Sequence, residues 1–95
     1  MPEQYALLPI SDKFIDQCKV IQKELAANDI VGIIDDRNET IGKKIRDTEL
    51  KKIPFMLIIG EKEAESSTVS VRRQGEGDKG SMQVAEFVEY FKTLL

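Results

Sequence analysis

The fold is decided by residues 30–59, IVGIIDDRNETIGKKIRDTELKKIPFMLII, in which two apolar runs enclose an amphipathic segment. The two end runs, IVGII and FMLII, are apolar on both faces, which predicts strands buried on both sides of a sheet. Between them Ile41 and Ile45 recur at helical spacing, and Pro54 forbids continuation of the helix. A strand–helix–strand unit of this kind predicts parallel strands joined by a crossover helix.

On the N-terminal side of this unit the residues predict one more strand and one more helix. The apolar run Tyr5–Ile10 predicts a strand, and Pro9 favours an edge strand or a strand end. Ser11 can cap the helix that follows, and that helix carries an apolar stripe at Phe14, Cys18, Ile21 and Leu25. Because Cys18 lies inside the stripe, we expect a buried structural thiol rather than a reactive one.

On the C-terminal side the residues predict a hairpin, a turn and a last helix. Thr68–Arg72 alternates polar and apolar residues, and the polar segment before it is too short for a crossover helix, so the last two strands should be antiparallel. Gly75–Gly80 predicts a tight turn, after which Ser81 can cap the helix. The inward stripe of that helix is predicted at Val84, Val88, Phe91 and Leu95.

The predicted order is therefore β-α-β-α-β-β-α. This alternation requires a mostly parallel sheet, with helices on its faces and one antiparallel strand. The length of 95 residues fits one domain that spans residues 1–95.

The composition excludes several classes of chemistry. The chain has no histidine and one cysteine, which removes imidazole bases, histidine metal clusters, zinc thiolate cages and an internal disulfide. No nucleophile–base pair can be assembled, so we expect no catalysis by this chain alone. There is neither a secretory leader nor a long apolar run, which predicts a cytoplasmic setting and no membrane contact.

The charges are unevenly distributed. The net charge of −3 argues against a general polyanion binder, yet residues 37–52 carry six basic against three acidic side chains. Within this cationic face Asn38, Gly42 and Arg46 are predicted to form one helical stripe beside the core. Glycine lowers helix propensity, so Gly42 predicts a close approach by the sheet or by a ligand.

Two other motifs point to chemistry that we consider less favourable. Gly75–Gly80 matches G-x-G-x-x-G, but Glu76 and Asp78 would face a pyrophosphate, and a nucleotide- or phosphate-handling enzyme stays only a formal alternative. Asp35 and Asp36 could hold a divalent cation or accept a phosphoryl group. The simpler interpretation is a strand-end cap or an acceptor for Arg37.

Three blocks carry a resemblance to a known family. They are DDRNETIGKKIRD at residues 35–47, KIPFMLIIGEKE at residues 52–63, and TVSVRR with GEGDKGSM at residues 68–73 and 75–82. Together they resemble the C-terminal anticodon-binding domain of threonyl-tRNA synthetases, over essentially the whole chain. The resemblance implies an α/β domain of three layers, with a mixed five-stranded sheet and three flanking helices, that reads the second and third anticodon bases, guanine and uracil, of tRNA-Thr.

The resemblance also assigns roles to four residues. Glu63 and Arg72 match the pair that holds the middle guanine, and Asn38 and Arg46 match contacts to the neighbouring uracil. Spacing alone favours a plainer interpretation, in which the charges on Glu61, Glu63, Glu65 and Arg72 only solvate a hairpin. Nearby phosphate attraction is expected from Lys43, Lys44 and Lys51.

The resemblance further implies a parent enzyme that activates threonine with ATP and esterifies it to tRNA, with magnesium and zinc in a catalytic domain that this chain lacks. No cofactor is expected in the chain itself. The parent is expected to be a homodimer and the isolated domain a monomer. The chain is then either a fragment of that enzyme or a freestanding accessory domain that binds RNA or protein.

Overall fold

The computed structural model describes residues 4–94, and within them five strands and four α-helices form. A short 3-10 turn, capped by the Ser11 hydroxyl as expected, leads into the first helix. The longest helix has 12 residues, and no helix in the described range is long and apolar enough to cross a bilayer. The elements are β1 (Tyr5–Pro9), α1 (Ile15–Ala26), β2 (Gly32–Ile34), α2 (Ile41–Leu50), β3 (Phe55–Ile59), α3 (Glu61–Ser66), β4 (Thr68–Arg73), β5 (Gly77–Gln83) and α4 (Val84–Lys92).

The strands form one mixed sheet in the order β2-β1-β3-β4-β5. β1 is parallel to β2 and to β3, whereas β4 is antiparallel to β3 and to β5. β4 therefore runs against the other four strands. The predicted mixed five-stranded sheet with one antiparallel strand is confirmed.

The positions of the first two strands differ from the expectation. β1 lies inside the sheet with all five residues buried, so of the two alternatives for Pro9 the edge is wrong and the strand end is correct. Pro9 is tolerated because it is the last residue of the strand, and the N–H of Ile10 donates the next bond to Ile59. β2 is the edge strand and is half-buried, because Ile33 and Ile34 pack into cores on opposite faces while its outer side is open.

The C-terminal third contains two elements that the pattern did not predict. Glu61–Ser66 forms a fourth helix, α3, where we expected a polar connection. Gly75–Gly80 does not form a turn before a helix, because residues from Gly77 onward pair with β4 as β5. The last helix consequently begins at Val84 with Gln83 as its N-cap, and the proposed Ser81 cap is wrong: Ser81 lies in β5 opposite Ser70.

The two faces of the sheet are covered unequally. On the first face, side chains of α1 and α4 pack with alternate residues of the strands into the larger core. On the second face, Ile41 and Ile45 of α2 pack on a smaller core built from β1, β3 and Ile53. The predicted stripes are confirmed with Cys18, Ile21, Leu25, Val84, Val88 and Phe91 buried and Phe14 partly buried, while Leu95 lies outside the described residues. Burial raises the pKa of the Cys18 thiol to about 12.

The close approach expected at Gly42 occurs at a different glycine. A Cβ at Gly42 would meet nothing within 4 Å. A Cβ at Gly32 would lie 2.5 Å from the Tyr5 carbonyl oxygen and 2.6 Å from two carbons of the Tyr5 ring. Gly32 therefore lets the edge strand lie against β1, whereas Gly42 leaves an open surface on α2.

This contrast predicts opposite effects of one added methyl group. We expect Gly32→Ala to lower the free energy of unfolding by about 1–3 kcal/mol, because backbone and ring must shift to admit the Cβ. We expect Gly42→Ala to raise it by about 0.5–1 kcal/mol, because alanine is the better helix former and no atom obstructs it. Urea unfolding of both variants measures the difference, and equal stabilities would contradict the glycine assignments.

Candidate nucleic-acid interface

The candidate site lies where the parallel strands end. β1, β2 and β3 point their carboxyl ends to the same edge of the sheet, the usual position of ligand sites in open α/β sheets. The loop after β2 carries Asn38, α2 carries Arg46, and α3 after β3 carries Glu63. Arg72 lies further down β4, on the strand next to β3.

Glu63 is oriented by the start of its own helix. Its Oε1 accepts a hydrogen bond of 2.8 Å from the backbone N–H of Gly60, the N-cap residue of α3. This is the reciprocal half of a capping box, in which an acidic residue at the third helical position satisfies an orphan N–H. The side chain is half-buried, and within residues 4–94 its carboxylate forms no ion pair.

The Glu63 carboxylate lies just beyond the end of β3, towards the second face of the sheet. Ile58 packs in the second core and Ile59 in the first, so alternation along the extended backbone directs position 60 to the second face. Glu63 Oε1 lies 3.0 Å from the place where a Cβ of Gly60 would stand. The backbone of Gly60 thus holds this oxygen at the rim of the second face.

Arg72 lies on the same face. Val69 and Val71 of β4 are buried in the first core, so the alternate residue Arg72 projects to the second face, beside its β3 partner Met56. Arg72 is half-buried, and among the described residues no carboxylate pairs with its guanidinium. An arginine whose charge is unpaired and accessible is free to bind an external acceptor.

The spacing between these two groups leaves room for a ligand. Met56, the partner of Arg72, is four residues before Gly60, which corresponds to about 13 Å along a strand. Half-buried Ile58 and its β4 partner Ser70 lie between them on the same face. The structure therefore presents a carboxylate and a guanidinium at the two ends of a short stretch of accessible sheet surface.

Asn38 is placed differently from the expectation. α2 begins only at Ile41, with the Thr40 hydroxyl as N-cap accepting from the N–H of Lys43. Asn38 therefore lies in the exposed loop before the helix, and its predicted place in one helical stripe with Gly42 and Arg46 is wrong. The signal that could have placed the helix start correctly is Thr40, a favoured capping residue.

Arg46 is an exposed residue of α2 beside an open cavity. The cavity has a volume of about 420 Å³ and is lined by Gly42, Lys43, Arg46 and Asp47. The missing side chain of Gly42 contributes to the space. A ligand group that enters here would meet the guanidinium of Arg46 without displacing a side chain at position 42.

Arg37 connects the loop to the helix. Its Nε and Nη2 donate to the two oxygens of Asp35, each at 2.8 Å, and its Nη1 donates to Oδ2 of Asp47 at 3.0 Å. The hydrogen bonds from Arg37 hold the pKa of Asp35 below its usual 3.8, and the two carboxylates raise the pKa of Arg37. The simpler interpretation of Asp35, an acceptor for Arg37, is confirmed. No group of three metal-ligating side chains converges within residues 4–94.

The lysines expected to attract phosphates separate into two kinds. Lys43 and Lys51 are exposed, and Nζ of Lys43 lies 3.9 Å from Glu39. Lys44 is only 4% exposed and its Nζ donates to the Pro9 carbonyl at 3.0 Å, so it cannot reach a phosphate. Its place in the sequence, three residues after Ile41 and four before buried Thr48, marks it as an inward position of α2.

Comparisons with known proteins agree on one family. The model of the Anticodon binding domain family matches residues 4–94. The threonine–tRNA ligase of Parabacteroides distasonis is 64% identical over 90% of this chain, and that of Sulfurihydrogenibium sp. is 45% identical over 99% of it. The chain covers 13% and 15% of those two proteins, so it corresponds to a small part of their length.

A solved structure shows the same fold. It contains the RNA-binding domain of threonyl-tRNA synthetase from Cryptosporidium parvum Iowa II, and it aligns with a TM-score of 0.90 at 29% sequence identity. The alignment covers 97% of this chain and 23% of that one. The resemblance inferred from the three sequence blocks is confirmed.

The Asp35–Arg37 pair predicts a defined loss of stability in acid. Because the folded pKa of Asp35 is lowered, its ionised form stabilises the fold above the unfolded value of 3.8, and this contribution disappears as the pH falls through the folded value. We expect Asp35→Asn to be less stable than the parent chain near pH 7, with the gap in stability narrowing as the pH falls below 3.8.

Thermal unfolding across this pH range measures the effect. Asp36→Asn is the matched control, because Asp36 is exposed and forms no ion pair within residues 4–94. A gap between Asp35→Asn and the parent chain that stays constant with pH would contradict the linkage.

Proposed function

We propose that this chain, which belongs to the anticodon-binding domain family, recognises the anticodon loop of tRNA-Thr as one module of a longer threonine–tRNA ligase. The observation that carries the proposal is the placement of Glu63 and Arg72, two opposite charges that form no ion pair within residues 4–94 and lie towards the same face of the sheet. The similarity to threonine–tRNA ligases supports the choice of tRNA.

The two side chains suit an unpaired guanine. In RNA, base edges are accessible mainly in unpaired loops, where bases can be splayed out. Guanine offers N–H donors along one edge and the acceptors O6 and N7 along another, and a guanidinium donates to both acceptors. Glu63 accepts from the donor edge and Arg72 donates to the acceptor edge, so the site reads the second anticodon base as guanine.

The third anticodon base is assigned to Asn38 and Arg46. Uracil carries two carbonyl acceptors and one N–H donor between them, and the Asn38 amide both donates and accepts. The Arg46 guanidinium supplies further donors from the wall of the adjacent cavity. The open surface at Gly42 admits the sugar or the base to that wall.

Phosphate attraction is assigned to Lys43 and Lys51 alone. Lys43 is exposed near the start of α2 and Lys51 is exposed at its end, whereas Lys44 is buried. Nonspecific attraction by two lysines on a chain of net charge −3 is modest, so recognition depends mainly on base contacts.

The activation of threonine and its transfer to tRNA are assigned to the remainder of the longer protein. There the parent enzyme activates threonine with ATP and esterifies it to tRNA, with magnesium and zinc in its catalytic domain. That domain is the direct protein partner of this chain, and it holds the dimer contact of the parent. The setting of this activity is the cytoplasm.

The first test exploits the double role of Glu63. In Glu63→Gln the Gly60 N–H still needs an acceptor, so the amide oxygen remains at the cap and the NH₂ group is turned towards the base. The NH₂ group of the glutamine then faces the N–H donors of guanine and cannot accept a hydrogen bond from them. We therefore expect the preference for guanine over adenine at the middle position to fall roughly 5- to 150-fold, equivalent to about 1–3 kcal/mol.

Filter binding of threonine-tRNA anticodon stem-loops with guanine or adenine at that position measures the preference. Glu65→Gln is the matched control, since Glu65 is exposed on the same helix and should leave the preference unchanged. Thermal unfolding of Glu63→Gln should match the parent chain because the cap is retained. A full guanine preference in Glu63→Gln would refute the assignment.

Phosphate contacts have a different signature. We expect Lys43→Ala to weaken binding of all stem-loops about equally and to lower the slope of log affinity against log salt concentration by about 0.7, the value for one single-strand phosphate contact. Salt titrations of binding measure the slope. Selective loss for one anticodon would show instead that Lys43 reads a base.

A further inference from the structure

We propose that Arg37 is a positioning residue, and that its ion pairs with Asp35 and Asp47 fix the separation of Asn38 from Arg46 and thereby the selectivity for the third anticodon base. This inference rests on the proposed function. We refer to Asp35, Arg37 and Asp47 as the carboxylate clamp.

One arm of the clamp is anchored to the sheet. The N–H of Asp35 donates to the Leu7 carbonyl of β1 at 2.9 Å, which continues the pairing of β2 by one residue. The Asp35 side chain is 9% exposed and receives both Nε and Nη2 of Arg37. The two hydrogen bonds thus orient the guanidinium against a residue that is bonded to the buried strand β1.

The other arm reaches α2. Nη1 of Arg37 donates to Asp47, a residue in the middle of the helix. α2 is itself fixed to the sheet, since buried Lys44 donates to the carbonyl of Pro9 at the end of β1. Arg37 therefore links the loop after β2 to α2, and each of these is also attached to the sheet separately. This link sets the distance between the loop and the helix.

The two residues assigned to uracil are the direct chain neighbours of the clamp. Asn38 follows Arg37, and a hydrogen bond of 2.9 Å from the N–H of Glu39 to the carbonyl of Arg37 closes a tight bend around Asn38. Arg46 precedes Asp47. A shift at either end of the Arg37–Asp47 pair moves one uracil contact relative to the other.

The residues assigned to guanine do not depend on the clamp. Glu63 is held by Gly60 on α3, and Arg72 is held by the pairing of β4 with β3. Loss of the clamp should therefore alter discrimination at the third base and spare the middle base. This asymmetry separates a positioning role from a general effect on folding.

Arginine is required because all three of its nitrogens donate to carboxylates. A lysine at position 37 offers one compact ammonium and cannot bind Asp35 through two atoms while it reaches Asp47. The carboxylate clamp also carries a net negative charge, which disfavours a phosphate contact by Arg37 itself.

The test uses the full 95-residue chain, the variants Arg37→Lys, Asp47→Ala and their combination, and anticodon stem-loops that differ at one base. The preference for uracil over cytosine at the third position is expected to fall about five- to thirtyfold in each single variant. The double variant should show no further loss, since both changes break the same link. The preference for guanine over adenine at the middle position should change less than about twofold in all three.

Arg73→Lys is the matched control. Arg73 also forms an ion pair of 2.8 Å, with Glu76, but lies away from the clamp in the β4–β5 hairpin, so both preferences should remain. If Arg37→Lys loses uracil selectivity while Asp47→Ala keeps it, Arg37 contacts RNA directly and the inference is overturned. Equal losses at both bases, or no loss at either, would overturn it as well.

An NMR measurement on the free protein separates this inference from the proposed function. The Arg37 Nε–H should exchange slowly with water in the parent chain and faster in Asp47→Ala. Rapid exchange in the parent chain overturns the clamp whatever the protein binds. If the parent chain shows no preference at either base, the proposed function and the selectivity role fail together, whereas a preference that the clamp variants leave intact overturns the selectivity role alone.

Discussion

The number of helices on each face of the sheet constrains everything else in this structure. An α-helix is about 10 Å wide and neighbouring strands are about 4.8 Å apart, so one helix covers two or three strands. Of the helices that build the two cores, α1 and α4 cover the first face, whereas on the second face α2 covers only the part made by β2, β1 and β3. The part made by β4 and β5 remains accessible, and its outward residues are polar or charged because no core forms there. Arg72 stands on this accessible part, and Glu63 stands at its rim.

The parts of the fold that could be predicted are those with a strong local pattern. The stripes of α1 and α4 and the apolar run of β3 determine these elements, because burial of one face requires apolar residues at fixed spacing. β5 could not be predicted, since GDKGSMQ contains one residue, Met82, that packs against the core, and its pairing is enforced by β4 and by glycines at positive φ. α3 is a capped helix of only six residues, and its sequence shows no apolar periodicity from which a helix could be predicted.

The residues of the candidate site could be predicted from the sequence, but their positions in the fold could not all be predicted. Resemblance to the family supplied Glu63, Arg72, Asn38 and Arg46, and the structure places Asn38 before α2 rather than on it. Lys44 was expected to attract phosphates with Lys43 and Lys51, but its helical position among inward residues buries it although lysines are mostly exposed. Arg37 and Lys44 are both engaged internally, so the cationic face of residues 37–52 presents less free charge than its sequence indicates.

The two edges of the sheet differ in a way that affects self-association. β2 offers only three residues to a foreign strand. β5 is longer, but a bulge interrupts its pairing with β4 beside Arg72, and Gly77 and Gly80 have positive φ angles of 80° and 86°. An irregular, glycine-containing edge that also carries Asp78 and Lys79 is a poor template for intermolecular β-pairing. The open half of this sheet can therefore remain accessible to a ligand without the sheet extending from one molecule to the next into aggregates.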